Sequence, residues 1–386
     1  MRIAIDLTAT PKSKTGIGRY LLGLLEGLQE ADKQNEYFLF LHSDDLDGFG
    51  IYNDRVHFVP VNSRILRRTW IRILWEQFVF PFRLRKNKID ILHCPNFTMP
   101  YTARLIFPRL KVVGTFHDMT YFFLPDFHVG WKREMFKKYI QLTAPRADKL
   151  LTISENSKND IVKYCLPKNK NISVTTMGVD PRFFKAGMPD EALLGKYGID
   201  APYIMYVGTL EPRKNVPGLI QAYRDLPREL RAACKLVLCG KKGWLYDEIY
   251  ESLKTDPDLL SQVIFTGFVE DEDLPTLYHG ARAAAYVSFY EGFGIPVIEG
   301  MASGVVTITS YGSSLEEVAG DGALLTDPHD TSTITRALAW AISDGHDEEK
   351  KALIERGIAR AAGYTWVRCA EETISAYKEA AGGART

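Results

Sequence analysis

The chain has 386 residues, of which 46% are hydrophobic and 25% are charged, so its composition is that of an ordinary folded soluble protein and its length suits two domains rather than one. Basic and acidic residues both number 48, and this balance favours no class of partner. The five cysteines are scattered and odd in number, which argues against a disulfide framework or a cysteine metal site and fits a reducing cytosol.

The first half of the chain alternates short apolar runs with stretches of helical periodicity, such as Gly18–Leu28. Several runs are apolar throughout, as strands covered on both faces must be. The alternation predicts a parallel sheet with helices on both faces. The opening run is predicted to be a strand rather than a signal peptide, and no apolar run reaches the ~18–20 residues of a membrane-spanning helix. The predicted strands are Arg2–Asp6, Tyr37–Leu41, Val56–Val59, Ile89–His93, Lys111–Phe116 and Lys149–Ile153.

The pattern restarts in the second half. The stretch Pro181–Asp200 contains several glycines and prolines and is predicted to be an irregular linker. The segment that begins at Trp366 is predicted to be a helix that packs back on the first domain. We therefore predict two doubly wound α/β domains, residues 1–185 and 186–365, with the C-terminal helix 366–386 completing the first. The second series of strands comprises Tyr203–Gly208, Leu236–Cys239, Val263–Thr266, Ala283–Val287, Val305–Thr309 and Ala323–Thr326.

Charge is distributed unevenly between these domains. Residues 1–185 carry 29 basic and 18 acidic side chains, whereas residues 186–386 carry 19 and 30. A basic first half suggests that it faces something anionic. Two solvated surfaces of opposite sign would explain the same distribution, and both interpretations stay open.

A glycine turn follows the first predicted strand, at the start of a helix. Gly16 and Gly18 would let the backbone approach a phosphate, and the helix N-terminus supplies N–H groups and a partial positive charge. A dinucleotide fingerprint needs a third glycine where Leu21 stands, and the second predicted strand does not end in a ribose-binding acid. A nicotinamide oxidoreductase is therefore weakly supported, and a tight turn without a ligand is the alternative.

A histidine follows the apolar strand Lys111–Phe116. Because open parallel sheets bind ligands at the carboxyl ends of their strands, His117 is predicted to point toward a ligand. A lone histidine is more often structural, but the aromatic-rich stretch Met119–Phe123 beside it favours a functional role.

Two adjacent cations follow the first strand of the second domain. Arg213 offers a planar fork for two oxygens and Lys214 a point charge, a combination that suits a diphosphate. In a site without a metal, this pair would neutralise a departing diphosphate. A solvated charged turn is the alternative.

Two glutamates flank a Gly-Phe-Gly turn after the strand Ala283–Val287. Pro296 suits the first turn of a helix, so Glu291 would lie in the loop and Glu299 inside the helix. The two acids can then address different parts of one ligand, while exposed N–H groups of the turn bind a third part.

Together these features resemble the retaining glycosyltransferases of the GT-B fold, the large family 4 group that includes many bacterial mannosyltransferases. The resemblance covers essentially the whole chain and implies two Rossmann-like domains that face each other across a cleft and bind a sugar nucleotide there. The elements that carry it are the turn at Gly16 and Gly18, the pair His117–Asp118, the stretch Glu211–Asn215, and the E-x7-E of Glu291 and Glu299.

The resemblance also implies catalytic and diphosphate-binding roles. Gly16 and Gly18 would close over the diphosphate from the acceptor domain. Arg213 and Lys214 would bind it from the donor domain, and His117 would reach a sugar hydroxyl near the reacting carbon.

Further roles are implied for the sugar and the nucleoside. Glu291 would hold sugar hydroxyls, and Glu299 would accept a hydrogen bond from the ribose. Phe268 and Val269 fall where the base usually lies, and Ser154 matches a position that often lines the cleft. The N–H groups that would share the sugar hydroxyls with Glu291 are those of Gly292, Phe293 and Gly294.

The implied reaction is transfer of a hexose, with retention, from a nucleotide sugar to a hydroxyl of a glycan or lipid-linked saccharide, without a cofactor or a metal. The motif forms look most like relatives that use GDP-mannose in surface polysaccharide and lipopolysaccharide synthesis. UDP-hexoses, dTDP-rhamnose or a non-catalytic sugar-nucleotide-binding protein are the alternatives. The acidic stretch Asp271–Asp273 reads as a metal-binding D-x-D, but it precedes a helix and is predicted to cap it.

Residues 63–88 interleave Arg and Lys with aromatic side chains, a mixture that suits an anionic membrane interface, where polyprenyl-linked acceptors lie. An ordinary helix with core aromatics is the alternative. Nucleic-acid binding would use similar side chains, but no RNA or DNA motif is present. We therefore expect a cytoplasmic enzyme, peripheral on the inner face of the cell membrane. The aromatic residues are Trp70, Trp75, Phe78, Phe80 and Phe82.

Overall fold

The chain folds into two compact units, which consist of residues 1–178 with 365–386 and of residues 179–364. Each unit contains one parallel sheet. The computed structural model describes residues 1–9, 16–48, 54–61, 64–100, 102–123, 130–165, 171–185, 187–243, 250–251, 253–254 and 256–382.

The 3-10 turn Pro181–Phe184, which lies before the predicted boundary at residue 185, packs within the second unit. The ring of the buried Phe183 meets that of Tyr278 edge-on, with centroids 5.7 Å apart. The predicted irregular linker is wrong beyond this turn, because Glu191–Lys196 is a helix. The side chain of Asp190 caps its first turn, a local signal that outweighs the nearby glycines and prolines.

The first unit is built on seven strands in the order β3-β2-β1-β4-β5-β6-β7, and every pairing is parallel. The central strands are buried on both faces, which explains their continuous apolar sequence. Among the strands that the structure describes in this unit, the sequence pattern missed β7, which is three residues long and partly exposed. The strands are β1 (Arg2–Asp6), β2 (Glu36–His42), β3 (Val56–Val61), β4 (Ile91–Cys94), β5 (Lys111–Phe116), β6 (Lys149–Thr152) and β7 (Ile172–Val174).

The last helix of the chain, Trp366–Gly382, lies against the first helix, Ile17–Ala31. Glycines permit this close approach, since a Cβ on Gly23 or Gly27 would come within 2.1 Å of an atom of Trp366. The other helices in the described part of the unit are Thr69–Phe78, Phe80–Lys86, Ala103–Ile106, Thr120–Phe123, Gly130–Thr143 and Glu155–Tyr164, with 3-10 turns at Ser43–Gly48, Arg64–Arg67 and Ala144–Arg146.

The second unit has six parallel strands in the order β10-β9-β8-β11-β12-β13. The strands are β8 (Tyr203–Val207), β9 (Lys235–Cys239), β10 (Val263–Gly267), β11 (Ala283–Tyr286), β12 (Val306–Ser310) and β13 (Leu324–Thr326). Its further helices are Val216–Arg224, Arg228–Ala233, Pro257–Gln262, Leu274–Gly280, Ile295–Ala302, Ser314–Ala319, Thr331–Ile342 and Asp347–Ala362, with a second 3-10 turn at Pro212–Lys214.

Both sheets reverse their strand order beside the first strand, between β1 and β4 in one unit and between β8 and β11 in the other. Doubly wound sheets bind ligands beyond the carboxyl ends of their strands at such a reversal. Gly16 lies beyond β1, Arg213 beyond β8 and Glu291 beyond β11. The doubly wound α/β class predicted from the sequence is confirmed, and these three predicted site residues follow strands that flank a reversal.

Candidate active site

The turn after β8 is fixed by a buried asparagine. Arg213 and Lys214 lie in the 3-10 turn that joins β8 to the next helix. Asn215 follows with a φ of 55°, a left-handed conformation that asparagine tolerates better than most residues. Its side-chain amide donates to the carbonyl oxygens of Val287 at 3.1 Å and Pro328 at 2.8 Å. The two cations are therefore held in a fixed position relative to the loops after β11 and β13.

Glu291 joins both cations in one network. Arg213 Nη1 donates to Glu291 Oε2 at 2.9 Å, and Lys214 Nζ donates to Glu291 Oε1 at 2.5 Å. Arg213 also donates to the carbonyl of Tyr290 at 2.8 Å and to Glu211 Oε1 at 3.2 Å. In the sequence these residues belong to two separate motifs, and the structure brings them together. The two positive charges of Arg213 and Lys214 are balanced by the negative charges of Glu291 and Glu211.

The network keeps Glu291 ionised although this residue is only 7% exposed. Burial raises the pKa of its carboxyl group, but the positive charges of Arg213 and Lys214 outweigh burial and lower the pKa to about 2. Burial also lowers the pKa of Lys214, an effect that the Glu291 charge opposes. At neutral pH the carboxylate is therefore a charged hydrogen-bond acceptor.

Tyr286 completes the network and was not singled out from the sequence. Its hydroxyl accepts a hydrogen bond from Lys214 Nζ and donates to Glu291 Oε1 at 2.9 Å. The residue is 4% exposed, and its ring stacks on that of Tyr206 with centroids 5.9 Å apart. The only sequence signal is a tyrosine at the end of an otherwise apolar buried strand, which has a hydroxyl that needs a partner.

A glycine and a buried serine shape the turn after Glu291. Gly294 has a φ of 117°, and a Cβ there would lie 2.5 Å from the side chain of Leu315. The hydroxyl of the fully buried Ser314 lies 2.7 Å from the carbonyl oxygen of Glu291 and 3.0 Å from that of Phe293. The path of the backbone through the turn is therefore constrained, and the predicted binding of sugar hydroxyls by its N–H groups stays a prediction.

The second glutamate of the motif lies inside the helix Ile295–Ala302, whereas Glu291 precedes that helix, as the position of Pro296 predicts. Glu299 is only 2% exposed. Its contact with a ribose stays a prediction.

Phe268 and Val269 follow β10 and differ in exposure. The ring of Phe268 is 42% exposed, whereas Val269 is 6% exposed. Lys241 Nζ lies 4.4 Å from the centroid of the Phe268 ring. An exposed aromatic face beside a cation can stack on a planar base, which is compatible with the predicted base position but does not test it.

The predicted cap made by the acidic stretch is wrong for Asp273. This residue precedes the helix Leu274–Gly280, but its side chain makes no capping bond. It accepts hydrogen bonds from Lys196 Nζ and from the Tyr197 hydroxyl instead, both at 2.6 Å. Within the described ranges, no group of three or more His, Cys, Asp and Glu side chains could hold a metal ion.

In the first unit, the glycine turn opens the helix Ile17–Ala31. Gly16 has φ 55° and ψ −111°, a conformation that only glycine adopts readily. It is exposed, whereas Gly18 is buried within the first turn of the helix. Thr15, which begins the motif, lies outside the described residues.

His117 lies directly after β5 and is 8% exposed. Its Nε2 lies 2.9 Å from the carbonyl oxygen of Pro95, which can only accept, so Nε2 carries the proton. Burial lowers the pKa of His117, although Pro95 and Asp118 oppose this effect. The ring is therefore neutral at pH 7 and presents Nδ1 as an acceptor. Tyr20 meets the ring edge-on, with centroids 4.8 Å apart.

Buried hydrogen bonds near His117 form a connected series that the sequence did not predict. His93 Nδ1 lies 2.7 Å from the Tyr377 hydroxyl, and His93 Nε2 lies 2.7 Å from Thr115 Oγ1. Burial, reinforced by the neighbouring His117, lowers the pKa of His93 to about 3. These hydrogen bonds join β4 and β5 to the C-terminal helix. Sequence could not reveal them, because His93 and Tyr377 are 284 residues apart.

Ser154 has a local structural role. It is fully buried and stands at the N-cap of the helix Glu155–Tyr164, where its Oγ accepts from the N–H of Ser157 at 3.1 Å. Helix capping alone accounts for a serine at this position. Its predicted place beside a ligand stays a prediction.

Two families match the two halves of the chain. Glycosyltransferase Family 4 matches residues 14–183, and Glycosyl transferases group 1 matches residues 191–360. The O-antigen chain mannosyltransferase B of Escherichia coli is 34% identical over 375 residues, which are 94% of this chain and 96% of that protein. The O-antigen chain mannosyltransferase RfbU of Salmonella typhimurium is 26% identical over 86% of this chain and 89% of its own length.

The solved structure of a glycosyltransferase from Rickettsia africae ESF-5 is similar to this chain with a TM-score of 0.77, at 17% identity and with 99% of both chains covered. At this identity the similarity concerns the fold alone, and it agrees with the two doubly wound units. Sequence families, relatives and fold thus agree, and the chain belongs to the glycosyltransferases, with a family 4 first half and a group 1 second half on a GT-B fold.

Proposed function

We propose that this glycosyltransferase transfers mannose from GDP-mannose to a hydroxyl of a glycan, with retention at the anomeric carbon, in the synthesis of a bacterial surface polysaccharide. The observation that carries the proposal is the network of Arg213, Lys214 and Glu291, which places two cations and an ionised carboxylate at the sheet edge where sugar nucleotides would bind. The two O-antigen mannosyltransferases, which align over most of the chain, support mannose as the sugar.

In the proposed reaction, the bond between the anomeric carbon and the diphosphate oxygen breaks ahead of attack and leaves an oxocarbenium-like sugar. The acceptor oxygen then bonds to the face from which the diphosphate departed, and the acceptor proton passes to the diphosphate. The products are GDP and the extended glycan. Catalysis is mainly electrostatic, because Arg213 and Lys214 stabilise the negative charge that develops on the leaving group.

Glu291 has two tasks in this proposal. Without a donor it orients Arg213 and Lys214. Glu291 and Glu211 together balance the two cations, so an incoming diphosphate would add negative charge to a neutral site. We propose that the cations then shift some of their hydrogen bonds from the carboxylates to phosphate oxygens, as the five N–H donors of arginine allow. The released carboxylate oxygens accept hydrogen bonds from sugar hydroxyls.

The proposal includes catalysis without a metal ion, since two side-chain cations supply the charge that a metal would otherwise supply. Transfer activity should therefore persist in excess EDTA. Activity that disappears with EDTA and returns with a divalent ion would contradict this part of the proposal and leave the donor assignment intact.

We propose that the acceptor is a lipid-linked saccharide, and that the enzyme works on the cytoplasmic face of the cell membrane with residues 63–88 as its membrane contact. Exposed aromatic side chains in this segment support the proposal, with Trp70 60%, Phe78 62% and Phe82 58% exposed. The alternative, that the aromatic residues belong to the core, holds for two others. Phe80 is fully buried, and the ring of Trp75 stacks on it with centroids 4.8 Å apart.

Thermal unfolding with GDP, UDP and dTDP at equal concentrations tests the donor. A ligand at 100 times its dissociation constant adds ~2.7 kcal/mol, which raises the unfolding midpoint by a few degrees. We expect the largest shift with GDP. A larger shift with UDP or dTDP would replace the donor and keep the mechanism, whereas a GDP shift without mannose transfer to membrane lipid extracts would favour a non-catalytic binding protein.

A further inference from the structure

The helix Thr69–Phe78 is inverted relative to an ordinary surface helix. Its buried side chains include Arg72 and Glu76, which are hydrogen-bonded to each other and are 7% and 0% exposed. Its exposed side chains include Trp70 at 60%, Leu74 at 50% and Phe78 at 62%. Residues four apart lie on one face of a helix, so these three apolar groups form one outward stripe.

Polar contacts on the inner face fix this orientation. Arg72 Nη1 is paired with Glu76 Oε1, and Thr98 Oγ1 lies 3.1 Å from both. Gln77 Nε2 donates to the carbonyl of Met99 at 3.1 Å and to the hydroxyl of Tyr139 at 2.8 Å. Rotating the helix to hide its apolar stripe would break these bonds and leave buried polar groups unpaired. The outward stripe is therefore imposed by the buried polar contacts.

The apolar surface continues past both ends of the helix. Ile65 is 53% exposed before it, and Val79 and Phe82 are 47% and 58% exposed after it. These residues, with Trp70, Leu74 and Phe78, are here called the apolar stripe. Isolated exposed apolar residues are common, but a row of large exposed apolar side chains indicates a surface that a membrane or another molecule covers.

The charged residues around the stripe are basic. Arg68, Arg85, Lys86 and Lys88 are exposed, and the only acidic residue from 64 to 88 is the buried Glu76. Arg67 is not counted, because it is paired with Asp44 and Asp45. An apolar row with basic residues at its ends complements the interface of an anionic lipid bilayer, where aromatic side chains settle at the headgroup level.

We infer that the apolar stripe inserts into the headgroup region of an anionic bilayer, and that this insertion holds the enzyme beside a membrane-borne acceptor. The inference rests on the proposed function, which places the membrane contact in residues 63–88, and it identifies the side chains that insert. Among the described residues, no helix is both long and apolar enough to cross a membrane. Because the exposed apolar side chains run along the length of the helix, the helix would lie parallel to the bilayer plane.

Sedimentation with lipid vesicles tests the inference directly. The full chain, without nucleotide, is mixed with phosphatidylcholine vesicles that contain phosphatidylglycerol, and with phosphatidylcholine vesicles alone. We expect tight binding only to the anionic vesicles. The triple variant Trp70→Gln, Leu74→Gln, Phe78→Gln should bind at least ~100-fold more weakly, because three large apolar groups no longer enter the interface.

A matched control removes three exposed apolar side chains from the second unit. Met188, Leu325 and Ile358 are 73%, 39% and 37% exposed, and their replacement by Gln should leave vesicle binding unchanged. Arg85→Gln with Lys86→Gln should reduce the preference for anionic over neutral vesicles. The thermal midpoint and the GDP-induced shift of each variant report whether it is folded.

Three outcomes would overturn the inference: no binding of the wild-type chain to anionic vesicles, equal binding by the folded triple variant, or a dimer in light scattering that the triple variant abolishes. The last outcome would assign the stripe to a second copy of the chain. None depends on the donor, so a failure of the GDP-mannose assignment would show separately in the nucleotide titrations.

Discussion

Two buried glutamates in this enzyme have carboxyl pKa values that are shifted in opposite directions. Glu291 faces Arg213 and Lys214, and its pKa is lowered to about 2 although burial opposes this. Glu76 faces one cation, Arg72, and burial together with the nearby Asp6 raises its pKa to about 8. The number of cations within reach decides whether a buried carboxyl group stays charged.

The difference separates the proposed donor-binding site around Glu291 from the structural contact around Glu76. The cluster around Glu291 stays charged, so it can exchange partners with a charged ligand at the sheet edge. The carboxyl group of Glu76 favours its protonated form in the folded protein below about pH 8, and it holds a helix in place through Arg72 and Thr98. Variants of the two sites should therefore differ in activity and in the pH dependence of stability.

The largest effect is expected from removing the cations. Arg213→Ala or Lys214→Ala should each lower the transfer rate roughly 10²–10³-fold, because each removes a preorganised donor to the leaving group. The measurement is mannose incorporation from GDP-mannose into membrane lipid extracts. Lys351→Ala, on an exposed face of the second unit, is the matched control. A loss of tenfold or less in the Arg213, Lys214 double variant would remove this role.

Glu291→Gln should lower kcat/KM for the donor by about 10–100-fold, because an amide binds sugar hydroxyls and orients the cations less strongly than a carboxylate. It should also change stability. A folded pKa of about 2 means that the carboxylate stabilises the fold above its unfolded pKa, by on the order of 3 kcal/mol. This contribution is lost as pH falls toward 2.

Urea unfolding of wild type and Glu291→Gln across this range measures the effect on stability. The stability gap between them should be widest near neutral pH and should close in acid. A gap that stays constant from pH 7 to pH 3 would mean that Glu291 is not held as an anion.

Tyr286→Phe should have a smaller effect, about a tenfold fall in rate, since Lys214 and Glu291 lose a shared hydrogen bond but keep their direct ion pair. Tyr206→Phe is the matched control, because its ring lies beside that of Tyr286 but its hydroxyl bonds to the carbonyl of Thr209. If Tyr286 positions Lys214, the two variants should differ in kcat. Equal losses would indicate a packing effect.

Glu76→Gln should leave the rate of mannose transfer to a soluble acceptor unchanged. Its effect on stability should depend on pH in the opposite sense to that of Glu291→Gln. Because the folded pKa of Glu76 is raised to about 8, its stabilising contribution is complete below the unfolded pKa and declines as pH rises toward 8. An amide mimics the protonated acid and cannot titrate. The variant should therefore gain stability relative to wild type between pH 5 and pH 8. An unchanged difference across this range would contradict the raised pKa.

Much of the fold follows from local sequence patterns, whereas the contacts of the site do not. Apolar runs identify strands such as β5 because a strand buried on both faces has few alternatives. The positions of Glu291 and Glu299 around a helix start follow from Pro296 alone. The bonds from Glu291 to Arg213 and Lys214 join residues 78 and 77 apart, and no local pattern encodes them.

The orientation of the helix Thr69–Phe78 also could not be predicted from local sequence. Its mixture of basic and aromatic residues allows either a membrane face or a packed core, because composition does not say which side is buried. In the structure Arg72 and Glu76 lie on the buried side of the helix, and Thr98, which Glu76 contacts, lies in a loop 22 residues further along the chain. The aromatic residues of this segment are consequently divided between the core and the surface.

Calorimetric titration of GDP-mannose tests whether the second unit binds the donor through the network of Arg213, Lys214 and Glu291. Wild type and the double variant Arg213→Ala, Lys214→Ala would be titrated alongside Lys351→Ala, with UDP-glucose as the comparison ligand. We expect GDP-mannose to bind wild type and Lys351→Ala, UDP-glucose to bind more weakly, and GDP-mannose to bind the folded double variant at least ~100-fold more weakly. Equal affinity of wild type and the double variant for GDP-mannose would contradict this expectation.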